Sequence, residues 1–296
     1  MHWLVPSTIF VIAQSVKDSI RKHSLNHHEN FAVLGLEFIF AFIFIFTWTL
    51  ILKIPIVLDR YTLLFLAQGI IHGLGSTGKV NAVNISLSKT ILVSKFVILF
   101  PMLLSLIFFK EYEIFHFMSL PGMLRTISLL LFPLILFLMS KPNGDKEDAS
   151  NGKTWIFSML QYGLFVGLLV FFNKMFIDSN RVMEATLFQR FGVTVTVLII
   201  SWLTKTRWVL TKRFWTLSII DGFLISLAQP AYLLALSMAP LVIVAPLQKM
   251  LTVILTTAAG LFIFHERKKV VAWAKWGYLL SGVGIAMIFI AELLEI

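Results

Sequence analysis

Apolar runs of about 20 residues recur along the whole chain, separated by short polar breaks. A helix rises about 1.5 Å per residue, so a run of that length spans the roughly 30 Å hydrocarbon core of a bilayer. The runs fall near 3–22, 31–52, 61–80, 86–108, 117–139, 154–176, 183–204, 214–236, 241–264 and 270–292. Within lipid every backbone N–H and C=O must be satisfied inside its own segment, which predicts helices here. The expected fold is therefore an all-α membrane protein with ten transmembrane helices. Only SKPNGDKEDASNGK, near residues 140–153, reads as a soluble linker, because it is polar and rich in charge. It divides the chain into a first five-helix unit (1–140), a linker loop (141–153) and a second five-helix unit (154–296).

The two units resemble each other. Trp3 falls opposite Trp155, and Arg60-Tyr61-Thr62-Leu63 opposite Arg213-Phe214-Trp215-Thr216. Gln68-Gly69 faces Asp221-Gly222, Phe109-Lys110-Glu111 faces Phe264-His265-Glu266, and Gly122 faces Gly277. The order and near-constant spacing of these matches indicate a duplication. An odd number of helices per unit makes the second copy enter the membrane from the opposite face. The expectation is two inverted five-helix repeats, an arrangement that supports alternating access with the solute held between the copies.

Composition sharpens this picture. The chain is 58% hydrophobic and only 14% charged, with a mean hydropathy of +0.88, whereas soluble domains carry about 25% charged residues. The net charge of +10 is explained by loop lysines and arginines of a membrane protein, so no nucleic-acid partner is expected. There are no cysteines, which excludes disulfides and thiolate chemistry. The opening MHWLVPSTIFVIAQSVKDSIRKHSL lacks a basic leader and a small-residue cleavage site, so it is expected to be the first spanning helix. Trp3, Trp48, Trp202, Trp208 and Trp215 fall near helix ends, as interfacial anchors do. The chain is expected to be a multi-pass integral membrane protein, in the cytoplasmic (inner) membrane if bacterial, acting as a monomer or homodimer in the lipid bilayer.

Ionisable residues inside a membrane are functional hypotheses by default. Lys95 and Lys249 lie 16 and 17 residues before Glu111 and Glu266, about 24–25 Å along a helix, too deep to reach either surface easily. They are expected to face a central cavity and bind an organic anion. The alternative is that each is neutralised by a carboxylate such as Glu37 or Asp221, or is held uncharged. Those two acids are in turn candidates for proton coupling or static ion pairs. Gln68, His72, Gln229, Tyr232 and Gln248 are polar groups at membrane depth and candidate solute contacts; single polar residues also serve to bond neighbouring helices. Arg190, beside Gln189, is a further candidate, at the cavity or at the interface. Arg125 is expected to serve packing. His23, His27 and His28 lack a ligand geometry, so no metal is expected. Gly163-X-X-X-Gly167 and Gly277-X-X-X-Ser281 are spacings for close helix contact. Gly73, Gly75 and Gly78 lack phosphate-loop spacing and lie in an apolar run.

The stretch from Met238 to Ile288 resembles the C-terminal signature of the drug/metabolite transporter superfamily, as in its EamA-type members. The elements that carry the resemblance are Ala245-Pro246, Glu266, Trp276-Gly277 and Ser281-Gly282-Val283-Gly284, with a weaker version at Pro101, Glu111 and Gly122. Pro246-Leu247-Gln248-Lys249-Met250 is similar to a lysine element in the ninth helix of nucleotide-sugar and triose-phosphate transporters. That resemblance implies a ten-helix secondary transporter, without cofactor, whose Lys95 and Lys249 grip a small organic anion, phosphorylated or not, by exchange or proton coupling. One alternative is a proton-coupled exporter of neutral or cationic amphiphiles using Glu37 or Asp221. Another is a non-transporting scaffold or lipid-handling bundle. No His-Glu-X-X-His, Gly-X-Ser-X-Gly or paired-Asp motif is present, so no enzyme is expected. Loop charges favour both termini outside the cytosol, whereas the resembled family usually has cytoplasmic termini, and the orientation stays open.

Overall fold

The computed structural model describes residues 2–25, 30–85, 90, 94, 96–115, 118–140, 152–208, 211–262 and 272–294. Among them are ten α-helices and no strand. They are α1 (Leu4–Leu25), α2 (Asn30–Ile51), α3 (Arg60–Ile85), α4 (Leu99–Phe108), α5 (Leu120–Ser140), α6 (Gly152–Phe176), α7 (Val182–Leu203), α8 (Lys212–Met238), α9 (Leu241–Phe262) and α10 (Ala272–Leu293). Short 3-10 turns at Glu111–Ile114 and Ser179–Arg181 precede α5 and α7. Each helix lies on one of the ten apolar runs. Much of the first part of the fourth run, with Lys95, lies outside the described residues.

Five of the described helices, α2, α6, α7, α8 and α10, are long and apolar enough to cross a membrane by length and composition. α1 and α3 carry polar residues in their middles (Gln14, Lys17 and Asp18; Gln68 and His72), which lowers their hydropathy. Large apolar side chains such as Ile107, Leu130 and Phe157 are exposed, as expected where lipid is the solvent.

Local chemistry sets the helix ends. Asp59 accepts hydrogen bonds from the backbone N–H of Tyr61 (2.9 Å) and Thr62 (3.1 Å) at the start of α3. Thr211 accepts one from Phe214 N–H (3.2 Å) at the start of α8. Both are N-caps, and they stand 152 residues apart. α2 and α7 end alike. Ile54 N–H reaches Thr49 O and Lys53 N–H reaches Leu50 O; Thr206 N–H reaches Ser201 O and Lys205 N–H reaches Trp202 O. This is the Schellman pattern, usually closed by glycine. Here Lys53 (φ 51°) and Lys205 (φ 52°) take the left-handed position.

α3 packs on α6 and α7, α8 packs on α1 and α2, and α2 meets α7. α5 pairs with α10, while α9 packs on α1, α4, α5 and α10, and α4 on α6. Glycines permit the closest approaches. A Cβ on Gly69 would lie 2.3 Å from Gln189 O, and one on Gly192 2.6 Å from Leu66 O. The backbones of α3 and α7 therefore touch. Gly73 lies against Thr196 of α7, and Gly75 and Gly78 against α6, so the glycine run of α3 serves packing. In the Gly163/Gly167 pair only Gly167 is tightly enclosed, by Phe100 at 2.4 Å; Gly163 has an ordinary contact with Val97 at 3.6 Å.

One end of the bundle, which carries both described chain ends, is tied by ion pairs. Arg181 contacts Asp59 (3.0 Å) and Glu184 (2.6 Å). Glu111 accepts from the backbone N–H of Leu241 (2.9 Å) and Val242 (3.1 Å), capping α9. Lys174 Nζ donates to Leu236 O and Ala239 O, both at 2.8 Å, and lies 4.0 Å from Glu111. Arg125 pairs with Glu292 (2.8 Å), in keeping with its expected packing role. Trp3 differs from the expected interfacial anchor: it is buried and its Nε1 donates to Glu292 (3.2 Å).

Candidate functional site

The α3–α7 contact brings buried amides together. With no Cβ at Gly69 or Gly192, the two backbones approach closely enough for Gln189 Nε2 to donate to Gln68 Oε1 at 2.6 Å. The same Nε2 donates to Asn173 Oδ1 on α6 at 2.7 Å. Gln189 Oε1 accepts from Gln229 Nε2 on α8 at 2.8 Å, and Gln229 Oε1 accepts from Arg190 Nη2. One hydrogen-bonded chain thus joins α3, α6, α7 and α8. By the helix rise, Gln68, Gln189 and Gln229 stand about 10–14 Å in from the tied end.

Arg190 is 3% exposed. Its guanidinium lies 5.4 Å from the Phe38 ring centroid on α2. Glu37, beside Phe38, acts on it electrostatically and stands 3.9 Å from Lys17 on α1. Thr194 Oγ1 donates to Phe38 O at 3.1 Å, so α7 and α2 meet through side chains here.

Several buried polar atoms around this cluster have no hydrogen-bond partner among the described residues: Arg190 Nε and Nη1, Gln68 Nε2, and Tyr232 Oη. Such atoms each cost about 1–3 kcal/mol if left unmade. Tyr232 is one turn along α8 from Gln229, and its ring lies 5.2 Å from Phe10. His72, one turn along α3 from Gln68, meets the Phe38 ring edge-on at 5.6 Å. Together these groups form a polar cluster walled by aromatic rings.

The other expected residues are distributed around it. Gln248 is buried and donates to Ser7 Oγ at 3.1 Å, joining α9 to α1. Lys249 is half-buried, about 12 Å in from the tied end by the helix rise, with no ion-pair or hydrogen-bond partner among the described residues. Thr252 and Thr256 follow at helical spacing, and their buried hydroxyls are also unpartnered. Asp221 is buried on α8, beside Gly222, which lies against Phe40 and Ala41 of α2. Lys95 lies outside the described residues, and with it the pairing of the two lysines. His27 and His28 lie there too, and the described residues hold no group of three potential metal ligands. Sequence reading missed Asn173, whose signal is an Asn-Lys pair closing an otherwise apolar helix, and the central place of Gln189.

The sequence profile of the family described as "Sugar transport protein" matches residues 19–294. No curated protein matches the chain. Among 26 matching chains of solved structures, one, described only as a protein crystal structure, superposes with a TM-score of 0.78 at 12% identity, covering 100% of this chain and 99% of that one. That likeness concerns the fold. The profile spans nearly the whole chain, and the protein belongs to the sugar transport protein family, of drug/metabolite-transporter type: it is an integral membrane transporter and not an enzyme.

Proposed function

We propose that the chain carries a sugar-like, polyhydroxylated solute across the membrane, bound at the cluster of Arg190, Gln189, Gln229, Gln68, Asn173 and Tyr232. The observation that carries this reading is the buried amide chain with donors left over at Arg190 and Gln68 and a hydroxyl at Tyr232. A sugar hydroxyl both donates and accepts, which suits amides. Its C–H faces suit aromatic walls such as Tyr232 and Phe38. The family description points the same way.

The transport mode we propose is alternating access between two inverted five-helix repeats, 1–140 and 154–296, joined by the linker 141–153. Its support is the helix packing: exchanging each helix of one half for its counterpart in the other (α1 for α6, α2 for α7 and so on) turns α3 on α6 and α7 into α8 on α1 and α2. The paired N-caps and paired lysine C-termini recur 152 residues apart. Glu37 and Asp221 are the acids we propose for proton coupling, with His72 and Gln248 as flanking contacts.

A second reading keeps the expected anion at Lys249, with Lys95, and a phosphorylated solute. Lys249, half-buried without a partner among the described residues, favours it. Thermal unfolding of the purified chain with neutral sugars, sugar phosphates and cationic amphiphiles separates the readings. Ligand at about 100 times its dissociation constant adds about 2.7 kcal/mol. Stabilisation by sugars that is lost in Gln229→Leu supports the first. Stabilisation by phosphates that is lost in Lys249→Ala supports the second. A response only to cationic amphiphiles overturns both.

A further inference from the structure

Arg190 has more hydrogen-bond donors than described partners. A guanidinium offers two forked edges, one formed by Nε with Nη2 and the other by Nη1 with Nη2, and each Nη2 hydrogen serves one edge. Gln229 Oε1 takes one Nη2 hydrogen, while Nε and Nη1 have no hydrogen-bond partner among the described residues. Whichever hydrogen Gln229 takes, one edge keeps both of its parallel N–H groups. Two parallel N–H groups match the two coplanar oxygens of a carboxylate.

The charge balance points to the same group. Arg190 is buried, and a buried cation without a contacting anion is costly. Glu37 acts on Arg190 through space but stands 3.9 Å from Lys17. The ring and the amide that contact the guanidinium, Phe38 and Gln229, are uncharged. The unpartnered Gln68 Nε2 and Tyr232 Oη are neutral groups suited to hydroxyls of the same molecule.

We infer that the transported solute is a sugar acid, whose carboxylate seats on the edge of Arg190 that Gln229 leaves unbonded while its hydroxyls meet Gln68 and Tyr232. This rests on the reading of the amide cluster as the site of a sugar-like solute. A single negative charge is what this site balances. A phosphate monoester carries about 1.5–2 charges and calls for a second contacting cation. Lys17 is engaged with Glu37, and Lys249 stands on α9, which contributes no member to the hydrogen-bonded chain of Gln68, Asn173, Gln189, Gln229 and Arg190. The acid group is thus assigned to Arg190 and not to the membrane lysines.

The test compares a hexose, the hexuronate that differs from it only at C6, and the hexose 6-phosphate. Each is titrated into the purified full chain at constant ionic strength. The hexuronate is expected to bind roughly 10- to 100-fold more tightly than the hexose, the usual gain from a charge-assisted pair. Arg190→Lys, which keeps the charge and loses the fork, is expected to cut that ratio about tenfold or more while changing hexose affinity less. Equal or better hexose binding, or a ratio unchanged in Arg190→Lys, overturns the inference and leaves the sugar reading standing; a preference for the phosphate overturns the inference in favour of the lysine site. If none of the three binds, the sugar reading falls with it. The wild-type comparison needs no variant, so a variant that fails to fold leaves the test intact.

Discussion

Gln189, itself buried, makes three hydrogen bonds, donating to Gln68 and Asn173 and accepting from Gln229, so its removal strands groups on three other helices. Gln189→Leu is expected to lower stability by about 3 kcal/mol or more, since each orphaned buried group costs about 1–3 kcal/mol; thermal unfolding in detergent measures it. At the tied end, Asp59 is held below its ordinary value of 3.8, chiefly by the hydrogen bond from Arg181, with backbone N–H of Thr62 and Tyr61 adding to it against a desolvation that raises it. A depressed carboxyl contributes stability above its unfolded value and loses it as pH falls through the folded one. Wild type should therefore lose stability relative to Asp59→Asn as pH is lowered below about 4, and parallel melting curves at neutral and acid pH test this. At this scale the sequence was partly readable. A Gln or Arg inside an apolar run stands out, which is why Gln68, Gln229 and Arg190 read as candidates. The bond from Gln189 to Gln68 crosses 121 residues, and no local pattern encodes that distance.

Helices were far more legible than contacts, because a run of apolar residues is a local signal and a helix satisfies its own backbone. What the runs do not carry is which faces meet. α3 and α7 meet at Gly69 and Gly192, and adding one carbon there is a direct probe. Gly192→Ala places a Cβ 2.6 Å from Leu66 O and 3.1 Å from a Gly69 atom. It is expected to cost about 1–3 kcal/mol and to weaken solute binding by displacing Gln189; unfolding and ligand titration on the same preparation read both. The helix ends respond in the other direction. Lys53 and Lys205 occupy a left-handed position that costs a side-chain-bearing residue about 1–2 kcal/mol. Lys53→Gly and Lys205→Gly are each expected to raise stability by about 1 kcal/mol, seen as a higher midpoint. The expected α1 anchor illustrates the limit of local reading: Trp3 has the right position in sequence, yet Glu292 at the other end of the chain draws it inside.

For the molecule as a whole, two kinds of seam follow from the packing. Where α3 meets α7, backbone lies on backbone. Where α2 meets α7, the contact runs through the Phe38 ring, the Arg190 guanidinium and the Thr194 hydroxyl. Backbone contacts between glycines leave no side chain to rotate and no room to slide by a residue. Side-chain contacts can open and re-form by rotamer changes. Spin-label distances are expected to stay constant across α3–α7 and to change across α2–α7 when solute is added; a shift across α3–α7 of the same size contradicts this division. The chain lacks cysteine, so each label can be placed without first removing a native thiol. The glycine pair would thus act as a weld: α3 and α7 would move as one lever, with the joint of the carrier beside the guanidinium proposed to hold the cargo.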